Sequence, residues 1–83
     1  MKQLSDKRLN DLKKTIPKLI GNRIKELRQN KDLTQTELAQ AVGKDRQYLY
    51  KIEKGKVTSN IVTISAIAVA LEISLKDLFD FKD

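Results

Sequence analysis

The chain has 83 residues, 17 Lys and Arg against 11 Asp and Glu, a net charge of +6, and neither cysteine nor histidine. That length fits one domain with a modest core; the composition excludes disulfides, thiol nucleophiles and the usual zinc ligands, and no apolar run is long enough to span a membrane. The N-terminus has lysines but no apolar stretch of the signal-peptide kind, and the absence of cysteine fits a reducing cytoplasm.

Ser5 is placed to cap a first short helix with Leu9, Leu12 and Ile16 on one face. That helix is expected to stop near Thr15, because the residue before Pro17 is pushed out of the helical region, and Pro17 suits the first turn of a second helix. Ile20, Ile24 and Leu27 form the apolar face of this second helix. Gly21 inside it costs about 1 kcal/mol relative to alanine, a cost that suits a close approach by a neighbouring helix. Thr34 with Glu37 reads as a capping box, Leu38, Ala39 and Val42 as a buried stripe, and Gly43 as the stop, so this helix covers about 35–42. Asp45 caps the next helix, which runs to about Lys54 with Leu49 and Ile52 inside and Gly55 as its stop. Thr58, Ser59 and Asn60 offer caps for a helix carrying Ile61, Ile64, Ile67, Ala68 and Leu71. The β-branched run Ile61-Val62-Thr63-Ile64 favours a strand locally, but the period continues through Ala68 and Leu71, beyond strand length. Ser74 with Asp77 opens a last short helix holding Leu75, Leu78 and Phe79.

Two short helices joined at a glycine have helix-turn-helix spacing, in which the second helix enters the major groove. On that second helix Arg46, Gln47, Tyr50 and Lys51 lie opposite Leu49 and Ile52. Arginine pairs bidentately with guanine and glutamine with adenine. Charge follows the same division. Residues 1–56 hold all the Lys and Arg except Lys76 and Lys82, and the tail is acidic, with Glu72, Asp77, Asp80 and Asp83. Such asymmetry suits one face turned to a polyanion.

The stretch Ile20–Phe79 resembles the Cro/CI-type (XRE-like) helix-turn-helix phage-repressor family. The resemblance is carried by I-G-N-R-I-K-E-L-R, L-T-Q-T-E-L-A-Q-A-V-G, D-R-Q-Y-L-Y-K-I-E-K-G-K and I-A-V-A-L-E-I-S-L-K-D-L-F. The D-R-Q-Y segment is also similar to the controller proteins of restriction–modification systems, a subgroup of that family. The resemblance implies an all-α, compact five-helix lambda-repressor-like domain over residues 20–83, with residues 1–19 an extra basic arm or short helix. It implies a phosphate contact for Gln35 at a helix N-terminus, base contacts for Arg46 and Gln47, and further base or backbone contacts for Tyr50 and Lys51. By the same resemblance Tyr48 is expected to contact phosphate or sugar, or to pack at the core edge, and Lys54, Lys56 and Asn60 are expected to grip the backbone. Arg28 and Glu53 match a pair that ties the first helix to the end of the recognition helix. Tyr50 stands where the family often has serine, Glu72 where many members have glycine at a helix end, and no proline follows Gly55.

The implied partner is double-stranded DNA with a pseudo-palindromic operator, bound by a homodimer, because one short recognition helix reads too few base pairs. Ile73, Leu75, Leu78, Phe79 and Phe81 are the expected dimer interface, with the apolar stripe of residues 1–19 as the rival element. No cofactor, metal or small-molecule effector is implied. An antitoxin-like or protein-interaction role on the same fold is the alternative. Membrane-surface binding through residues 1–18 is disfavoured by their narrow apolar face. Enzymatic activity is disfavoured by the absence of histidine, cysteine and a phosphate-cradling glycine loop, and by an expected lack of room for a pocket near ~300 Å³.

Overall fold

Each helix in the computed structural model, which describes residues 2–81, opens on a side chain that accepts a hydrogen bond from the amide three residues on. Ser5 caps α1 (Asp6–Asn30), Thr34 caps α2 (Gln35–Ala41), Asp45 caps α3 (Arg46–Glu53), Asn60 caps α4 (Ile61–Ala70) and Ser74 caps α5 (Leu75–Leu78). The Thr34 cap is reciprocal: the Glu37 amide donates to the hydroxyl at 3.0 Å and the Thr34 amide donates to the Glu37 carboxylate at 2.9 Å. Each such cap satisfies a helix-end amide and contributes about 1 kcal/mol.

The first four helices also end alike. The residue after the C-cap turns into the left-handed region at Asp32 (φ 57°), Gly43 (φ 72°), Gly55 (φ 72°) and Glu72 (φ 60°). The next amide then reaches back to a helical carbonyl: Leu33 to Arg28, Lys44 to Ala39, Lys56 to Lys51 and Ile73 to Ala68. This is the Schellman arrangement. It explains how Glu72 serves where glycine is common, at a strain of about 1 kcal/mol. Lys31, the C-cap of α1, stands 3.5 Å from the Glu72 carboxylate and links two of these ends.

α1 departs from expectation. The break near Thr15 is absent, and one helix of 25 residues carries Pro17 in its interior. A mid-helix proline forfeits one hydrogen bond and crowds the carbonyl four residues back. That carbonyl belongs to Lys13, an exposed residue, where water can satisfy it. Continuity keeps Leu9, Leu12, Ile16 and Ile20 in one stripe, which lines a groove with Ile52, Val57 and Ile64.

The core comprises Ile24 of α1, Leu38 and Ala39 of α2, Leu49 and Ile52 of α3, Ile64, Ile67 and Ala68 of α4, Leu71, and Leu78 of α5. Each large aliphatic side chain buried there is worth about 1.5–3 kcal/mol. α5 is held from outside as well: the Arg23 guanidinium donates to the Asp77 carbonyl at 2.9 Å and 3.3 Å. The result is an all-α, lambda-repressor-like bundle in which the first helix continues past the core toward the N-terminus.

Candidate nucleic-acid interface

α2 and α3 meet across the turn at Gly43, and α3 is fixed by what it buries: Leu49, Ile52 and Glu53. Its other side presents Arg46, Gln47, Lys51 and the following Lys54, all exposed. Tyr50 lies half-buried among them. The Lys54 and Lys56 ammonium groups stand 5.8 Å and 5.7 Å from its ring centroid. Cation–π attraction at that range draws two flexible lysines together at the helix end. Lys44 sits in the same way 5.1 Å from the Tyr48 ring.

The recognition helix is clamped to α1 in two places. At Gly21 the backbones come so close that an added β-carbon would overlap the Ile52 carbonyl oxygen and stand 2.8 Å from that of Glu53. One turn or more along, the structure brings Arg28 and Glu53 together. The Arg28 Nε donates to Glu53 Oε2 at 2.6 Å and Nη2 to Oε1 at 3.0 Å, while Nη1 donates to the Leu33 carbonyl at 2.7 Å. The Glu53 side chain is 2% exposed and that of Arg28 10%, so the pair is shielded from solvent. Gln35 completes the node by donating to Glu53 Oε1 at 3.0 Å. Every buried side-chain nitrogen and oxygen among the described residues has a partner, the condition under which a buried ion pair is tolerated.

Three residues assigned to backbone contact have local tasks. The Gln35 amide group is engaged with Glu53. The Tyr48 hydroxyl shares a 3.0 Å hydrogen bond with the Ser59 hydroxyl, and its ring packs against the core edge. The Asn60 side-chain Oδ1 accepts from the Thr63 amide at 2.9 Å, a cap that occupies its oxygen and not its NH₂ group. Lys54 and Lys56 are exposed. In the C-terminal apolar set, Leu78 is a correction: it is wholly buried in the core, so it has no surface to offer a partner. Phe79 is 38% exposed and stacks edge-on with Phe81, which lines a recess with Leu19 and Arg23 of α1. Ile73 is half-buried and Leu75 is exposed.

Two features went unread in the sequence. Lys18, Asn22 and Lys25 line a polar notch of about 190 Å³ with Gln35, Glu53 and Lys54. Their spacing of four and three, the helical repeat, is the signal that marks them as one face. The second is the apolar groove beside α1, about 280 Å³ and bordered by Val57, Thr58 and Ser59 of the loop after α3. It overturns the expectation that so small a domain leaves no room for a pocket: the continuous α1 stands beyond the core and creates the space.

At the start of α2, the Thr34 amide and then its hydroxyl hold the Glu37 carboxyl below the usual carboxylate range. Among the described residues no cluster of His, Cys, Asp and Glu is arranged to hold a metal ion, and no helix is long and apolar enough to cross a membrane.

Residues 24–78 match the helix-turn-helix family. The chain is 41% identical over 61 residues to the ImmF control region 10 kDa protein of Bacillus phage phi105, an alignment covering 74% of this chain and 68% of the relative. It is 38% identical over 56 residues to the immunity repressor of the same phage, covering 68% of this chain and 39% of that one. Among solved structures, the restriction–modification controller protein C.AhdI from Aeromonas hydrophila superposes with a TM-score of 0.73 at 38% identity, over 76% of this chain and 91% of the other. The chain thus belongs to the Cro/CI-type (XRE-like) helix-turn-helix family of sequence-specific DNA-binding transcriptional regulators, whose members are non-catalytic.

Proposed function

We propose that the chain acts as a homodimeric repressor or autoregulator on a pseudo-palindromic operator. The outward side of α3 carries the reading: Arg46, Gln47 and Lys51 are exposed while Leu49, Ile52 and Glu53 lock the opposite side into the fold. In it Arg46, Gln47, Tyr50 and Lys51 contact base edges. Lys54, Lys56 and the free NH₂ group of Asn60 hold the phosphates. Gln35 and Tyr48 act beside them from the start of α2 and the edge of the core. A phage immunity repressor and a restriction–modification controller protein among the relatives support a repressor or autoregulatory role.

One recognition helix covers only a few base pairs, and two copies about a two-fold axis place their helices about 34 Å apart, in successive major grooves. Ile73, Leu75, Phe79 and Phe81 supply the partner surface. The exposed Ile61, Val62 and Val69 of α4, the last two 74% and 76% exposed, extend it. Such apolar exposure on a helix suits a contact with another chain.

Selection of bound sequences from a random DNA pool tests this reading, with a palindromic consensus as the expected result. On that consensus Arg46→Ala should cost about 1–3 kcal/mol at one base pair and relax its identity. Lys56→Ala should weaken all sequences alike and lower the log–log salt slope by about one unit. Uniform losses from both variants would overturn the assignment of α3.

A further inference from the structure

We infer that the N-terminal half of α1 is a second DNA-contacting surface, a lysine lane that lies along the phosphate backbone flanking the half-site read by α3. This rests on the DNA-binding reading above and adds to it a lane whose first three lysines, Lys7, Lys14 and Lys18, precede the matched family segment, which begins at residue 24.

Lys7, Lys14, Lys18 and Lys25 all sit on α1 and all are exposed. Their intervals of seven, four and seven residues keep them within about 40° of one meridian of a 3.6-residue helix. Among the described residues none of the four is in an ion pair. The lane is not an isolated solvated face, because its inner end joins the recognition machinery. Lys18 and Lys25 line the notch with Gln35 and Lys54. The Lys18 stem also lies on Gly55, so close that a β-carbon there would stand 2.7 Å from its Cγ. Lys54 and Lys56 flank that glycine. The opposite side of the same helix, Leu9, Leu12 and Ile16, faces the groove beside the loop after α3. These three side chains border the groove while staying about two-fifths exposed, and the lysines lie on the other side of the helix.

From Lys18 to Lys7 the helix advances about 16 Å, a distance matched by about five nucleotide steps of one DNA strand. Point-charge ammonium groups on flexible stems suit a phosphate row without reading bases. Asp11 lies in the same lane, four residues after Lys7 and three before Lys14, and weakens its field. That makes it an internal control.

The test is a salt titration of binding to the selected operator duplex, with long flanks and with flanks trimmed to the consensus, using the full chain. Lys7→Gln/Lys14→Gln should lower the log–log salt slope by about 1.8, from two phosphates at about 0.9 each, on the long duplex only. Base preferences should be unchanged. Asp11→Asn should tighten binding to the long duplex and leave the trimmed one unaffected. Equal slopes for wild type and the double variant, with no response to Asp11→Asn, would overturn the lane while the α3 reading stands. If the wild type fails to discriminate sequences at all, both readings fall. Should the double variant melt early, the flank dependence of wild type and Asp11→Asn still decides: no dependence on flank length rejects the lane.

Discussion

Gly21 of α1 faces the carbonyl oxygens of Ile52 and Glu53 across an approach that leaves no room for a β-carbon. The neighbours are backbone atoms of the last turn of α3, which cannot rotate aside as a side chain can. Gly21→Ala gains about 1 kcal/mol of helix propensity and must displace one helix from the other, at about 1–3 kcal/mol or more. A net loss is expected in urea unfolding. Gly43→Ala is the comparison, because a β-carbon there meets nothing within 4 Å and only the φ of 72° resists it. Its cost should be about 1–2 kcal/mol. Gly21→Ala should in addition weaken operator binding beyond its effect on folding, since it moves the recognition helix; Gly43→Ala retaining less DNA affinity than Gly21→Ala would contradict this.

The Arg28–Glu53 pair is the second clamp. Removing one partner strands the other in a site where the Glu53 side chain is 2% exposed, so Arg28→Ala and Glu53→Ala should each lose about 3–5 kcal/mol. The double variant should lose less than the sum, and a thermodynamic cycle gives the coupling. Gln35→Ala removes one further hydrogen bond to Glu53 and should cost about 1 kcal/mol. Single losses near zero that simply add would show that the charges do not act together.

Association of two copies should depend on the exposed apolar residues of α4 and the C-terminal segment. Sedimentation at micromolar concentration should show a dimer for wild type and a shift to monomer for Val62→Ser/Val69→Ser and for Phe79→Ala. Leu78→Ala should instead lower stability by about 2–5 kcal/mol, as a core truncation does. A dimer that survives the surface variants but not Leu9→Ser/Leu12→Ser would move the interface to α1.

Glu37 sets a pH dependence with a definite sign. Its folded carboxyl titrates below the ordinary range because the Thr34 amide and hydroxyl favour the charged form. The capping contribution is therefore complete above the unfolded carboxylate pKa and is lost as pH falls through the lowered folded value. Glu37→Gln keeps an acceptor for the Thr34 amide but does not titrate. Denaturation midpoints at neutral pH and near pH 3, about one unit below the ordinary carboxylate value, should converge more for this variant than for wild type. An unchanged acid sensitivity would place the proton uptake elsewhere.

Much of this architecture was legible because its signals are local. The Ser5, Thr34, Asp45 and Ser74 caps, and the stops at Gly43 and Gly55, act over three or four residues and can be read as such, while Asn60 is one of three neighbouring candidates for its helix. The run Ile61–Ile64 reads correctly as helix once the period beyond it is followed. Pro17 misleads because the rule for the residue before a proline is local, whereas the continuity of α1 depends on apolar neighbours such as Ile52 and Val57 supplied from far along the chain. Leu78 misleads for a related reason: a helix of four residues has too little period to tell which apolar residue turns inward. The bond from Gln35 to Glu53 exists only once α2 and α3 have met, and nothing in the spacing of those two residues announces it.

The continuity of α1 across residues 19 and 20 also bears on how small a working fragment of this protein can be. A piece cut to the family-matched segment, 24–78, would keep the Arg28–Glu53 node but begin after Gly21 and Lys18. The end of α3 would be left with one attachment in place of two, Gly55 would be uncovered, and Ile52, Val57 and Ile64 would face water where Ile16 and Ile20 now stand. The leading segment is thus a buttress of the recognition helix as well as an appendage in front of it, and truncating it alters the domain it precedes.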